Sequence, residues 1–322
     1  MRVLITGMGG QLGTRVANLV EADKSVEAVS GVDVDPPRRR LRRAEFHRVD
    51  PVQRRRLAGI IQEFEPTVVL HLGVYEPNAR AGPRTARELT AATSIAALGA
   101  AAACPSLERI VVRSGIEVYG RRRGSPTKPD EDVVPDPTSP FGHVLLHAER
   151  VAAYAGRAAG VPVTILRCAP IVGSHLASPL GRYLRLPVVP VSLLSDMPFS
   201  LLHGDDAAEA VVAAIEPGYD GPLNVVGTGA VTASQAARLG GRLPLPIVGP
   251  QWLLAKVGAE LLGAPLPDHV RELLVRGRAA DGGRVEEVLG IAPARPTRQV
   301  VEELHDWAPI DYLTPVLHPE VA

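Results

Sequence analysis

The residues best equipped for chemistry come first in the chain. Thr6-Gly7-Met8-Gly9-Gly10-Gln11-Leu12-Gly13 sets glycines at 7, 10 and 13, between a short β-branched run and an amphipathic one. A diphosphate needs backbone amides it can approach closely. A helix start supplies free N–H groups and the positive end of a dipole. Gly7 allows the tight turn, Gly10 the close approach and Gly13 the packing of helix on strand, with Gln11 and Leu12 between them. Asp33 closes the next apolar run about 20 residues on, where a carboxylate accepts hydrogen bonds from an adenosine ribose. This is the pattern of a dinucleotide site. Asp33 favours NAD, because it repels the 2′-phosphate of NADP. One of Arg38, Arg39, Arg40, Arg42 and Arg43 could reach such a phosphate and admit NADP, or the five form a solvated basic loop.

Candidates for proton transfer are sparser. Glu117 and Tyr119 lie in a short motif, Ser114-Gly115-Ile116-Glu117-Val118-Tyr119-Gly120, and His143 and Cys168 follow later. Cys104 and Cys168 lie far apart and make no metal spacing, which fits a reducing compartment and predicts neither disulfide nor metal.

The elements that must position these groups alternate. Strands are expected at 2–6, 27–33, 45–49, 68–72, 109–113 and 163–167, with helices at 11–22, 52–64, 84–103 and 140–158 between them. Such alternation predicts a Rossmann-type α/β fold, a doubly wound parallel sheet with helices on both faces. Ser139-Pro140 reads as an N-cap followed by proline at the first helical position. Asp206 with Glu209 reads as a capping box opening a helix through Ile215. Residues 120–139 read as an exposed loop, and the tail after Trp307 as irregular. From about Pro170 the chain turns to proline-rich connectors, short strands at 199–202 and 223–226, and several helices. The expected division is a dinucleotide-binding domain over 1–170 and a smaller α+β substrate-type domain over 171–322, with some elements exchanged between them.

Composition excludes several classes. The 322 residues carry 35 basic and 35 acidic side chains, so nothing predicts affinity for nucleic acid or an anionic membrane. The longest small-apolar stretch, 91–104, is too short to span a bilayer, and no secretory leader is visible. A cytoplasmic protein is expected.

Together the motifs resemble the extended short-chain dehydrogenase/reductases, the group of NAD-dependent sugar-nucleotide epimerases and dehydratases. The likeness runs from Arg2 to Trp307. It rests on the glycine loop, Val49-Asp50, His71-Leu72-Gly73, the 114–120 motif, Leu166-Arg167, Val172-Gly173, His203-Gly204-Asp205-Asp206 and Asn224-Val225-Val226-Gly227. It implies that Asp50 contacts the adenine amine and that Leu72, Gly73 and Val74 line the cofactor. It also implies a homodimer paired through the helices at 84–103 and 140–158, and a small-molecule ligand such as a nucleotide sugar.

The same likeness exposes a departure. The family transfers protons with a Tyr-x-x-x-Lys pair, a serine or threonine before the Val-Tyr-Gly motif, and an upstream asparagine. Here those positions carry Phe141, Leu145, Gly115 and Thr90. Phenylalanine has no proton to offer and leucine cannot tune a pKa, so the standard chemistry is expected to be absent. Phe141, Val144, Leu145 and Ala148 instead make an apolar helix stripe. Glu117 is the surviving candidate base, because some dehydratases and decarboxylases of this kind use a glutamate there; the alternative is a structural hydrogen bond. Two functions follow. One is an enzyme working with altered groups; the other is a dinucleotide-binding sensor, scaffold or partner subunit without turnover.

Overall fold

The structure, a computed structural model, describes residues 1–173 and 176–306. The first half alternates β1 (Arg2–Thr6), α1 (Gln11–Ala22), β2 (Ala28–Asp33), β3 (Glu45–Arg48), α2 (Arg54–Phe64), β4 (Val68–His71), α3 (Pro83–Ala101) and β5 (Arg109–Gly115). A 3-10 turn (Ile116–Tyr119) then leads through an irregular stretch to α4 (Pro140–Ala159) and β6 (Val163–Cys168). Next come β7 (Ile171–Val172), α5 (Pro179–Leu184), β8 (Val188–Ser192), β9 (Leu202–His203), α6 (Gly204–Ala213) and β10 (Gly221–Val225). The chain continues with α7 (Ala233–Leu239), β11 (Leu243–Ile247), α8 (Gln251–Leu261), α9 (Asp268–Arg276), α10 (Gly283–Leu289) and α11 (Thr297–His305).

Seven strands form one parallel sheet in the order β10-β6-β5-β4-β1-β2-β3. The order reverses between β1 and β4, so the carboxyl ends of those two strands bound the crevice where such sheets bind ligands. Val3 and Ile5 of β1 pack into one core and Leu4 into the other, as a strand covered on both faces requires. A third apolar cluster gathers α5, β8, α7, α9 and α11 around Tyr183, Phe199 and Leu274.

One strand is exchanged between the halves, and two expectations change. The strand at 223–226 is β10, and it joins the main sheet beside β6. The strand at 199–202 shrinks to β9, because Phe199, Ser200 and Leu202 donate to Val231, Arg278 and Pro170 in turn, three separate segments that build no common ladder. The helix expected to open on Asp206 begins at Gly204, capped by His203, whose Nδ1 accepts from the Asp205 amide at 3.2 Å. Asp206 is turned inward to Arg295, at 2.7 Å, and caps nothing. Residues 120–139 carry no helix or strand until Ser139 caps α4, yet Glu131 turns inward and accepts from the Asn224 amide at 2.7 Å. The expectation for the tail after Trp307 lies outside the described residues. No helix among those described is long and apolar enough to cross a membrane.

Candidate functional site

The glycine loop folds as its spacing demands. Gly7 has φ +74°, and a Cβ there would sit 2.6 Å from the Leu72 carbonyl oxygen. At Gly13 a Cβ would sit 2.1 Å from the Gly7 oxygen, so helix and turn touch backbone to backbone. Gly10 is the N-cap of α1 and brings no capping side chain, which leaves the first-turn amides for an anion. In front of them opens a cavity of about 360 Å³, lined from the predicted set by Gly7, Gly10, Gln11, Leu12, Gly13, Leu72 and Val74.

The remaining predicted contacts lie elsewhere. Gly73 stands behind the wall, its amide donating to Thr6 Oγ1 at 3.2 Å. Asp33 is buried at the end of β2, and Tyr75 and Arg80 lie between its carboxylate and the cavity, at 2.9 and 3.3 Å. Asp50 is exposed and accepts from the Val52 amide at 2.9 Å, ahead of α2 and away from the cavity. Of the arginine run, Arg38 reaches the cavity, whereas Arg43 turns back to the Glu21 and Val26 carbonyls.

The face expected to transfer protons is packed with carbon. Phe141 and Leu145 are 6% and 1% exposed, in one cluster with Ile116, Val118 and Cys168. A Cβ on Gly115 would lie 2.3 Å from Glu117 Oε2 and 3.1 Å from Leu145 Cδ1. The Glu117 carboxylate therefore fills the space that a side chain at 115 would need. Arg278, fully buried, holds that carboxylate at 3.4 Å and Glu272 at 2.5 Å. Thr90 accepts from the Tyr75 amide at 2.9 Å and so fixes the chain after β4.

A separate buried chain runs beneath. Ser114 donates to Glu149 at 2.5 Å, Arg167 bridges Glu149 and Tyr119, and Tyr119 donates to Asn224 at 2.8 Å. Burial pushes the Tyr119 phenol up, and the Cys168 thiol up to about 12, so neither titrates near neutrality. His143 is exposed. Among the described residues no group of His, Cys, Asp or Glu could hold a metal ion.

Set against known proteins, residues 3–226 match the model of the NAD dependent epimerase/dehydratase family. The chain belongs to that family. Its cofactor is accordingly NAD. An uncharacterized protein of Mycobacterium tuberculosis (strain H37Rv) is 32% identical over 332 residues, covering 98% of this chain and 86% of its own. Among solved structures, the UDP-glucose 4-epimerase of Thermotoga maritima with UDP-glucose aligns at TM-score 0.74 and 19% identity, over 94% of this chain and 97% of that one. The UDP-glucuronic acid 4-epimerase of Bacillus cereus with UDP-glucuronic acid and NAD aligns at 0.72 and 18%, over 95% and 98%. At these identities the structural likeness is one of fold.

Within this epimerase/dehydratase fold, several side chains at the cavity escaped the sequence. Tyr75, Glu76 and Arg80 enter from the segment after β4, and Arg113 from β5. Glu76 also meets His269 of α9 at 3.2 Å, and the His269 ring lies 4.8 Å from that of Phe141. Both rings line a second cavity of about 280 Å³. A stretch reading Val74-Tyr75-Glu76-Pro77 right after a strand carries polar groups at a strand's carboxyl end, which was the available signal. Nothing in the sequence joins it to His269.

Proposed function

We propose that this chain binds NAD at the carboxyl edge of its sheet without the family's tyrosine–lysine relay, as an enzyme-like protein working with altered groups. The observation that carries this reading is the joint placement at 115, 117, 141 and 145. Leu145 is sealed in the apolar core, Phe141 is buried beside it with its ring against His269, and the Glu117 carboxylate sits where a serine at 115 would stand. The residues present suit the dinucleotide. The free first-turn amides of Gln11 and Leu12 would hold its pyrophosphate, with Gly10 leaving room for the close approach, and Asp33 its adenosine ribose. When bound, NAD supplies a hydride acceptor. Glu117, a buried carboxylate restrained by Arg278, is the group we assign to take a proton there.

The ligand class we propose is a nucleotide sugar, since the relatives of known fold bind UDP-glucose and UDP-glucuronic acid. A homodimer through α3 and α4 and a place in the cytoplasm complete the reading. The free, buried cysteines suit a reducing compartment. A second reading, binding without turnover, draws support from the buried Glu117–Arg278–Glu272 chain, which ties the Glu117 carboxylate into an ion pair. Calorimetry tests the shared part. NAD is expected to bind at micromolar or tighter affinity, and Gly10→Val to weaken it strongly by filling the amide cradle. Absence of heat with every nicotinamide dinucleotide overturns the reading.

A further inference from the structure

Asp33 has one free acceptor position to offer a ribose, on Oδ2, since Oδ1 is saturated by Tyr75 and the Val34 and Asp35 amides. Its Oδ1 accepts from the Tyr75 hydroxyl at 2.9 Å and the Val34 amide at 2.7 Å, and its Oδ2 accepts from Arg80 at 3.3 Å. Two ribose hydroxyls cannot bind until one partner leaves. The Val34 and Asp35 amides are backbone, and the Tyr75 phenol is buried with no other acceptor among the described residues. Arg80 makes the longer of the two side-chain contacts and lies on the cavity wall. Its other arm holds Asp35 at 3.1 Å, and its guanidinium lies over the Tyr75 ring at 5.0 Å.

What Arg80 would leave for is close by. Its Nη2 lies 3.7 Å from the place a Cβ of Gly10 would occupy, beside the uncapped start of α1. A planar guanidinium matches phosphate oxygens with two parallel hydrogen bonds. Asp33 and Asp35 would otherwise put two carboxylates beside an incoming diphosphate, with the helix terminus alone to offset them.

We propose that Arg80 is a phosphate-binding side chain of the dinucleotide site, held on Asp33 and Asp35 in this structure and transferred to the pyrophosphate as the ribose takes its place on Asp33. This rests on the NAD reading above. The Tyr75 ring is the surface on which the guanidinium turns, so the side chain need not unfold to change partners.

The test is calorimetry with ADP-ribose and NAD on the unaltered protein, Arg80→Gln, Arg80→Lys, Asp33→Asn and the Asp33→Asn/Arg80→Gln double variant. A charge-assisted contact to phosphate is worth about tenfold or more in affinity. Arg80→Gln is expected to weaken both ligands by about that factor and Arg80→Lys by less. The same loss is expected in the Asp33→Asn background, because it arises at the phosphate. Unchanged or tighter binding by Arg80→Gln overturns the inference, as does a loss that vanishes when Asp33 is already changed, which would make Arg80 only an organiser of Asp33. If the unaltered protein binds neither ligand, the dinucleotide reading falls and takes this one with it. Normal binding with an inert Arg80 sinks this one alone.

Discussion

Gly115 and Glu117 explain each other. A serine at 115 would thrust its Cβ to within 2.3 Å of Glu117 Oε2, so this backbone can carry the serine or this placement of the glutamate, not both. Sequence alone showed a serine missing and a glutamate present; only the coordinates show that one fills the other's room. The glycine loop was legible because its requirements are local, a positive φ and a backbone contact within one turn. Asp50 stands on other ground. Its position rested on likeness, and its carboxylate serves the turn before α2. His71 was read only as part of a motif, and it turns out to clip β1 to α3, bonding Thr6 at 2.8 Å and Ser94 at 3.0 Å. Burial pushes its pKa down to about 4, against about 6.5 for a free imidazole. The unfolded chain therefore takes up a proton that the folded one refuses. Stability is intact above about pH 6.5 and is lost as pH falls toward 4, by about 3 kcal/mol for this group. Melting curves of the parent and His71→Gln between about pH 7 and about pH 4.5 check this, the parent being expected to lose more. Parallel losses would contradict it.

Elements with a strong period came through the sequence nearly unchanged, as α1, β1 and α4 illustrate. Those whose hydrogen bonds go to distant segments did not. The backbone around Phe199 has strand-forming side chains but three different acceptors, and no reading of local pattern foresees that. Asp206 had the spacing of a cap, yet the Arg295 side chain nearly 90 residues later claims it. The two helices expected to pair protomers, α3 and α4, lie packed on one another and still expose Ile95 (42%) and Tyr154 (71%). Large apolar side chains left in water on two adjoining helices suit a second copy of the same face. Light scattering is expected to give twice the chain mass for the parent and a monomer for Ile95→Glu/Tyr154→Glu. A monomeric parent at micromolar concentration would refute the pairing.

At the scale of the whole molecule, the sheet brings an amide cradle and the Asp33 carboxylate to its switch point, and the later helices bring α9 over α4. That second movement is what sequence could not supply, because Arg278, Glu272 and His269 reach the region of Phe141 and Glu117 from more than 100 residues away. The result is a cavity at the switch point beside a helix face that carries Phe141 and Leu145 where the family has its phenol and ammonium. Groups of a proton relay act as a unit, so restoring one of them recovers little. Phe141→Tyr would present a phenol with a pKa near 10 and no neighbouring lysine to lower it. Adding Leu145→Lys and Gly115→Ser would force Glu117 out of its place. The most direct measurement is turnover of UDP-glucose, UDP-glucuronic acid and dTDP-glucose by the unaltered protein with NAD, followed by nicotinamide absorbance and by product sugars. The account predicts no absorbance change and no epimer above background; epimerisation at rates usual for enzymes, about 1–1000 per second, would contradict it.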